Sequence, residues 1–192
     1  MDSKIKNDII KTSNDGKSQL QKLSKIFSIL EPLMAKRGER KKDINLYKNI
    51  ENNFGLFEEI LKQNDISIQI RCDNKDIVFN CREQDFSIIY SNLIENSIYW
   101  LNRSSQNNKT ISISLYKQEN TIYIDYKDNG IGIQDKFINS IFDPGFSTKP
   151  EGGTGIGLTL VGQAVKRNNG DIEYIKSACG TYFKLTFRLT EQ

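Results

Sequence analysis

Thr121-Ile122-Tyr123-Ile124-Asp125-Tyr126-Lys127-Asp128-Asn129-Gly130-Ile131-Gly132 begins as an alternating segment and ends as a carboxylate followed by a glycine turn. Apolar and polar residues alternating over 121–128 mark a strand with one buried face. A carboxylate at the end of such a strand can accept a hydrogen bond from an exocyclic amine. The glycines permit positive φ and close approach of a planar base. An Asp-Xaa-Gly-Xaa-Gly turn is equally serviceable as a plain structural loop, and its neighbours decide between the two.

Upstream, TISISLYK (110–117) alternates in the same way and joins 121–128 through Gln118-Glu119-Asn120, which predicts a hairpin. Before it, residues 84–102 carry Phe86, Ile89, Leu93, Ile94, Ser97 and Leu101 at helical spacing. Within that helix Asn92 and Asn96 fall on one face, a turn apart. Two neutral amide oxygens can reach one ion together, and Mg²⁺ prefers hard oxygen ligands while keeping waters and nucleotide phosphates in its shell. The apolar flanks Leu93, Ile94 and Ile98 predict that this turn is partly buried.

Downstream, an irregular glycine-rich stretch (129–154) leads to a helix over about 155–168, closed by Asn168-Asn169-Gly170. Gly152-Gly153-Thr154-Gly155-Ile156-Gly157-Leu158 opens that helix, so backbone amides and the positive end of the helix dipole face whatever sits before it. This cluster lacks the lysine placement of a Walker loop and does not match Rossmann spacing. A last hairpin, DIEYIKS and TYFKLTFRL, turns at Ala178-Cys179-Gly180. Earlier strands are predicted at Ile66–Cys72 and Asp76–Asn80, after a helix running from Ile44 to Leu61. Mixed strands with one layer of helices predict an α+β two-layer sandwich.

The chain has 192 residues, enough for one domain with an extension, divided here into 1–45 and 46–192. Leu20, Leu23, Phe27, Leu30 and Met34 form one helical stripe interrupted at Pro32. It has two readings, an amphipathic helix packed on the domain or part of a dimerisation hairpin that would make a homodimer. The basic run KRGERKK (36–42) reads as a solvated linker, not a nucleic-acid patch, at a net charge of only +3. No run reaches the roughly 20 apolar residues that span a bilayer, and the charged start is not a signal peptide, so the expected location is cytoplasmic. Cys72, Cys81 and Cys179 lack zinc-site spacing and are expected to be reduced, partly buried thiols.

The order is an asparagine-pair helix, then Asp-Xaa-Gly-Xaa-Gly after a strand, then Phe142-Asp143-Pro144-Gly145-Phe146-Ser147-Thr148-Lys149, then Gly-Thr-Gly-Ile-Gly-Leu opening a helix. This series, over roughly residues 46–190, resembles the four boxes of the Bergerat-fold (GHKL) ATPases: gyrase-type topoisomerases, heat-shock chaperones, MutL-type repair proteins and sensor histidine kinases. Gly180-Thr181 resembles the family's adenine-side Gly-Thr. The resemblance implies ATP with Mg²⁺, held between helices beneath a lid over about 134–153. It implies that Asp128 recognises the adenine amino group with Thr181, that Gly130 and Gly132 leave room for the base, and that Asn96 ligates Mg²⁺, with Asn92 as a second candidate ligand. Gly153, Thr154, Gly155, Ile156, Gly157 and Leu158 would cradle the phosphates. Lys149 is either a γ-phosphate contact or a solvated lid lysine, and Phe142 and Phe146 would anchor the lid by burial.

The first asparagine-box position is a glutamate general base in the hydrolysing branches, whereas here it is Asn92, which takes no proton at neutral pH. That favours phosphoryl transfer to a partner side chain, with Asn92 as the catalytic residue. Glu95, about 60° from Asn92 on the helical wheel, keeps a conformational ATPase open. Many histidine kinases carry Lys or Arg where this chain has Tyr99, and Arg103 is the candidate substitute. The chain contains no histidine. The expected activity is therefore that of a sensor histidine kinase's catalytic domain acting on a histidine-bearing hairpin outside these residues, with a response regulator downstream. A serine kinase of the anti-sigma type shares the boxes and is the other alternative.

Overall fold

The computed structural model describes residues 40–150 and 153–189. The helical stripe around Leu20–Met34 and its two readings lie outside the described residues. A five-stranded mixed sheet organises the rest, in the order β2 (Ile66–Cys72), β4 (Lys109–Gln118), β5 (Thr121–Asp128), β7 (Thr181–Arg188), β6 (Gly170–Tyr174). β2 runs parallel to β4, and the remaining pairs are antiparallel. Strands β4 and β5 form the expected hairpin, with Glu119 at φ 51 in its turn.

Period-two alternation decides what each face does. Ile111, Ile113 and Leu115 of β4, Ile122, Ile124 and Tyr126 of β5, and Phe183, Leu185 and Phe187 of β7 are all buried. Two helices cover this face: α3 (Glu83–Leu101) and α4 (Gly157–Arg167). Phe86 of α3 sits 5.3 Å from Phe187, and α4 contributes Val161, Ala164 and Val165 to the same core. The two-layer α+β sandwich expected from the sequence is the architecture found.

The segment expected as one helix over 44–61 is instead three elements. Lys42–Asn45 is β1, paired antiparallel with β3 (Val78–Cys81), and it is followed by α1 (Leu46–Gly55) and α2 (Glu58–Gln63). Ile44 is buried in the strand opposite Phe79, and Asn45 caps α1 by accepting from the Lys48 amide at 2.9 Å. Such a cap contributes about 1 kcal/mol. Through that pairing residues 42–45 join the strand that leads into α3. Phe54 of α1 packs on Tyr90 of α3, which ties this subunit of structure to the main core. Among the described residues no helix is long and apolar enough to cross a membrane.

Candidate functional site

The end of β5 delivers Asp128 to the helix-covered face. Cross-strand register sets it between Ile111 of β4 and Thr181 of β7, so Asp128 and Thr181 are direct neighbours. Asp128 is 6% exposed. Its Oδ1 accepts from the Gly130 amide at 2.9 Å and the Thr181 amide at 3.2 Å, and Oδ2 accepts from Ser97 Oγ at 2.8 Å. Tyr126 Oη donates to Ser97 Oγ at 2.9 Å, completing a buried relay. Burial pushes the Asp128 carboxyl above its ordinary range, while the donors from Ser97, Gly130 and Thr181 oppose that rise. The result is an acceptor held in place by neutral donors.

Beside it, the turns at Gly132 and Gly180 touch back to back. Both have positive φ, 73° and 69°, and a Cβ on Gly132 would lie 2.8 Å from the Gly180 carbonyl oxygen. Gly130 is placed otherwise than expected, since it does not line the groove. It is buried behind the carboxylate, where a Cβ would meet Asp128 Oδ1 at 3.0 Å and the α3 backbone at 3.5 Å. Its amide holds Asp128.

From Asp128 a groove of about 1410 Å³ runs between α3 and α4. Pockets for one small molecule usually measure about 300–1,000 Å³, so the groove has room for a ligand of at least that size. Asn92, Asn96, Asp128, Gly132, Lys149, Gly153, Thr154, Gly155, Ile156, Gly157, Leu158 and Thr181 all line it. Residues up to 89 positions apart in sequence are thereby brought to one wall, from Asn92 to Thr181.

At the far end α4 begins at Gly157 with no side-chain cap, leaving its first turn to whatever enters the groove. Asn92 donates its amide to the Ile88 carbonyl at 2.8 Å, and its oxygen abuts Gly157, where a Cβ would lie only 2.8 Å away. Only a glycine lets α3 and α4 approach here. Gly155, at φ 67°, lies against Gly145, whose amide donates to the Gly155 carbonyl at 3.0 Å. This bond pins the phenylalanine segment to the glycine segment. Phe142 packs on Phe183 and Phe146 on Phe137, both rings half-buried.

Asn96 Oδ1 accepts from Lys149 Nζ at 2.8 Å. A carboxamide oxygen already turned toward a cation has the hard-oxygen chemistry that suits Mg²⁺. Among the described residues no cluster of three or more His, Cys, Asp or Glu could cage a metal. A magnesium ion bound largely through phosphates and water needs no such cage. Glu95 is exposed and lines the groove, and so does Arg103, whose guanidinium lies 3.7 Å from the Tyr99 ring centroid.

A second buried carboxylate closes the opposite end. Asp85 of α3 accepts from Arg167 Nε at 2.9 Å and Nη2 at 2.5 Å, and from Asn168 Nδ2 at 2.9 Å. Asn168 Oδ1 accepts in turn from the Arg82 amide at 3.0 Å. These bonds fasten the start of α3 to the end of α4. The thiols differ among themselves: Cys179 is exposed, Cys72 half-buried, and Cys81 buried and pushed up to about 12 by desolvation.

Motif reading did not single out Ser97 or Tyr126. Tyr126 shares the buried face of β5 with Asp128, two residues on, which was a usable signal. Ser97 follows Asn96 directly, but its bond to Asp128 depends on how α3 sits on the sheet.

Residues 81–191 match the family model described as histidine kinase-, DNA gyrase B-, and HSP90-like ATPase. The chain is 29% identical over 150 residues to a probable C4-dicarboxylate sensor kinase of Bacillus subtilis, covering 74% of this chain and 28% of that protein. It is 28% identical over 170 residues to sporulation kinase A of the same organism, covering 86% and 27%. It thus spans little more than a quarter of the length of these relatives. The histidine kinase ThkA, solved in complex with the response regulator protein TrrA, superposes with a TM-score of 0.74 at 20% identity, over 91% of this chain and 49% of that one. Ordered boxes, a shared fold and a match over more than half its length place the chain in the histidine kinase-, DNA gyrase B- and HSP90-like ATPase family.

Proposed function

We propose that this chain is the ATP·Mg²⁺-binding catalytic part of a two-component sensor histidine kinase, passing the γ-phosphoryl group to a histidine outside these 192 residues. The observation that carries the transfer reading is Asn92. Its amide sits against the first residue of α4, at the phosphate end of the groove, where the hydrolysing branches of the family place a glutamate. An amide orients an incoming nucleophile but does not deprotonate water. The similarity to sensor kinases supports the same branch.

In this reading Asp128 and Thr181 take the adenine edge, the carboxylate accepting from the exocyclic amine. The turn at Gly132 and Gly180 supplies a flat backbone floor beside it. The glycine-rich segment 153–158 and the start of α4 present amides to the phosphate tail, and Lys149 or Arg103 adds positive charge there. Asn96 would hold the magnesium, with Asn92 beside it; the metal neutralises charge on the β- and γ-phosphates and stabilises charge developing in transfer. With no histidine in the chain, the acceptor belongs to a separate phosphoacceptor hairpin, and a response regulator is the onward partner. A cytoplasmic location goes with that partnership.

The test is incubation with γ-labelled ATP, alone and with a histidine-bearing hairpin. Acid-labile label on the hairpin and negligible turnover without it are expected. Steady hydrolysis that Glu95→Ala abolishes would establish a conformational ATPase instead, a reading favoured by the exposed Glu95 on the groove wall. Acid-stable label on a partner would establish a serine kinase.

A further inference from the structure

Asn96, Tyr99, Arg103 and Lys149 form a cluster that the reading above uses only in part. Lys149 Nζ lies 2.8 Å from Asn96 Oδ1 and 4.5 Å from the centroid of the Tyr99 ring. The same ring carries the Arg103 guanidinium at 3.7 Å. Tyr99 thus offers its π-system to two cations, and one of them also holds the amide oxygen assigned to the metal.

Asn96 Oδ1 already accepts from an ammonium at 2.8 Å through one of its two lone pairs, and Mg²⁺ would have to bind the same oxygen at its usual 2.0–2.1 Å. Two cations on one partly buried oxygen would stand about 4 Å apart and repel. The two are rivals for one atom. Resting on the assignment of Asn96 as the metal ligand, we propose that Lys149 is a resident counter-cation of Asn96 and that metal entry is an exchange. Mg²⁺ displaces the ammonium, and the released lysine is delivered to the phosphate end of the groove. The exchange makes Lys149 the residue that sets the metal requirement of the site. It also accounts for a lysine reaching from the lid to α3, across 53 residues of sequence.

The experiment is ADP binding measured by calorimetry across a Mg²⁺ titration. ADP lacks the γ-phosphate, so loss of a lysine contact there does not obscure the result. The Mg²⁺ midpoint of Lys149→Met is expected to fall roughly three- to tenfold below that of the wild-type chain, the worth of one charge-assisted hydrogen bond on a half-exposed group. Lys149→Arg, which keeps the charge and the donors, should stay within about twofold. Tyr99→Leu should shift the midpoint in the same direction as Lys149→Met but by less, because only the ring contact is lost. An unchanged midpoint in Lys149→Met, or an equal fall in Lys149→Arg, overturns the exchange and leaves Asn96 as a metal ligand. Absence of any Mg²⁺ dependence in the wild-type chain overturns the assignment of Asn96, and the exchange with it.

Discussion

Asp85 and Asp128 are both buried carboxylates, 4% and 6% exposed, set against the two ends of α3, and they are wired in opposite ways. Asp85 faces a guanidinium and an asparagine amide. Asp128 faces a hydroxyl and two backbone amides, none of which carries charge. A buried carboxylate matched by a cation closes its own circuit and joins what it touches. One held only by neutral donors stays costly as an anion and keeps acceptor capacity for something else. The comparison separates a fastener from a receptor, and each half of it can be broken.

The largest effect belongs to the fastener. Asp85→Ala strands the Arg167 guanidinium and the Asn168 amide at the α3–α4 junction. Breaking a buried pair costs about 3–5 kcal/mol, but the Arg167 side chain is 24% exposed and can turn partly to water, so about 2–4 kcal/mol is expected. For a domain of this size that lowers the melting temperature by roughly 5–15 °C. A thermal melt unchanged from the wild type would abolish the distinction.

The receptor should behave in the reverse sense. Burial raises the Asp128 carboxyl above its unfolded value of about 3.9. A raised folded pKa contributes stability that is fully present below the unfolded value and lost as pH rises through the folded one. At neutral pH the charge is therefore a cost to folding. Asp128→Asn removes that charge in the same shape, so its melting temperature should equal or exceed the wild type's. Its ATP affinity, measured by calorimetry, should fall roughly 10- to 100-fold through loss of a charged acceptor. Retained affinity would remove Asp128 from the site, and a large loss of stability would make it a second fastener.

That contrast was half legible in the sequence. Asp128 announced itself because the alternation of 121–128 fixes its face and the glycine turn fixes its position at the strand end. Asp85 lay in the first turn of a predicted helix with nothing to distinguish it, since its partners Arg167 and Asn168 are 82 and 83 residues away. The alternation over 66–72 coincides with β2, and the helical spacing over 84–102 lies within one residue of α3 at each end. The stretch 44–61 looks like one helix because Ile44 and Tyr47 satisfy a helical spacing, while Ile44 also satisfies a strand's. The polar residue between them, Asn45, was the cap that marked the true start of α1. Local pattern fixes which face a residue occupies. Which distant donor meets it there depends on the packing of α3 and α4 on the sheet, and no periodicity encodes that.

The smallest effect tests the receptor's own support. Ser97 donates to the Asp128 carboxylate and opposes the rise that burial imposes. Protonation removes the acceptor, so wild-type ATP affinity should decline as pH falls through the raised pKa of Asp128. The same limb should be missing in Asp128→Asn, which separates it from titration of the nucleotide. Ser97→Ala withdraws one donor from the anion, so Asp128 protonates more readily and the limb must move to higher pH. Above both limbs only a few-fold loss of affinity is expected, the worth of one hydrogen bond acting through another group. If the limb stays in place, Ser97 is no more than a packing partner. If it moves down, burial is not what raises the carboxyl, and the opposition between Asp85 and Asp128 would need another cause.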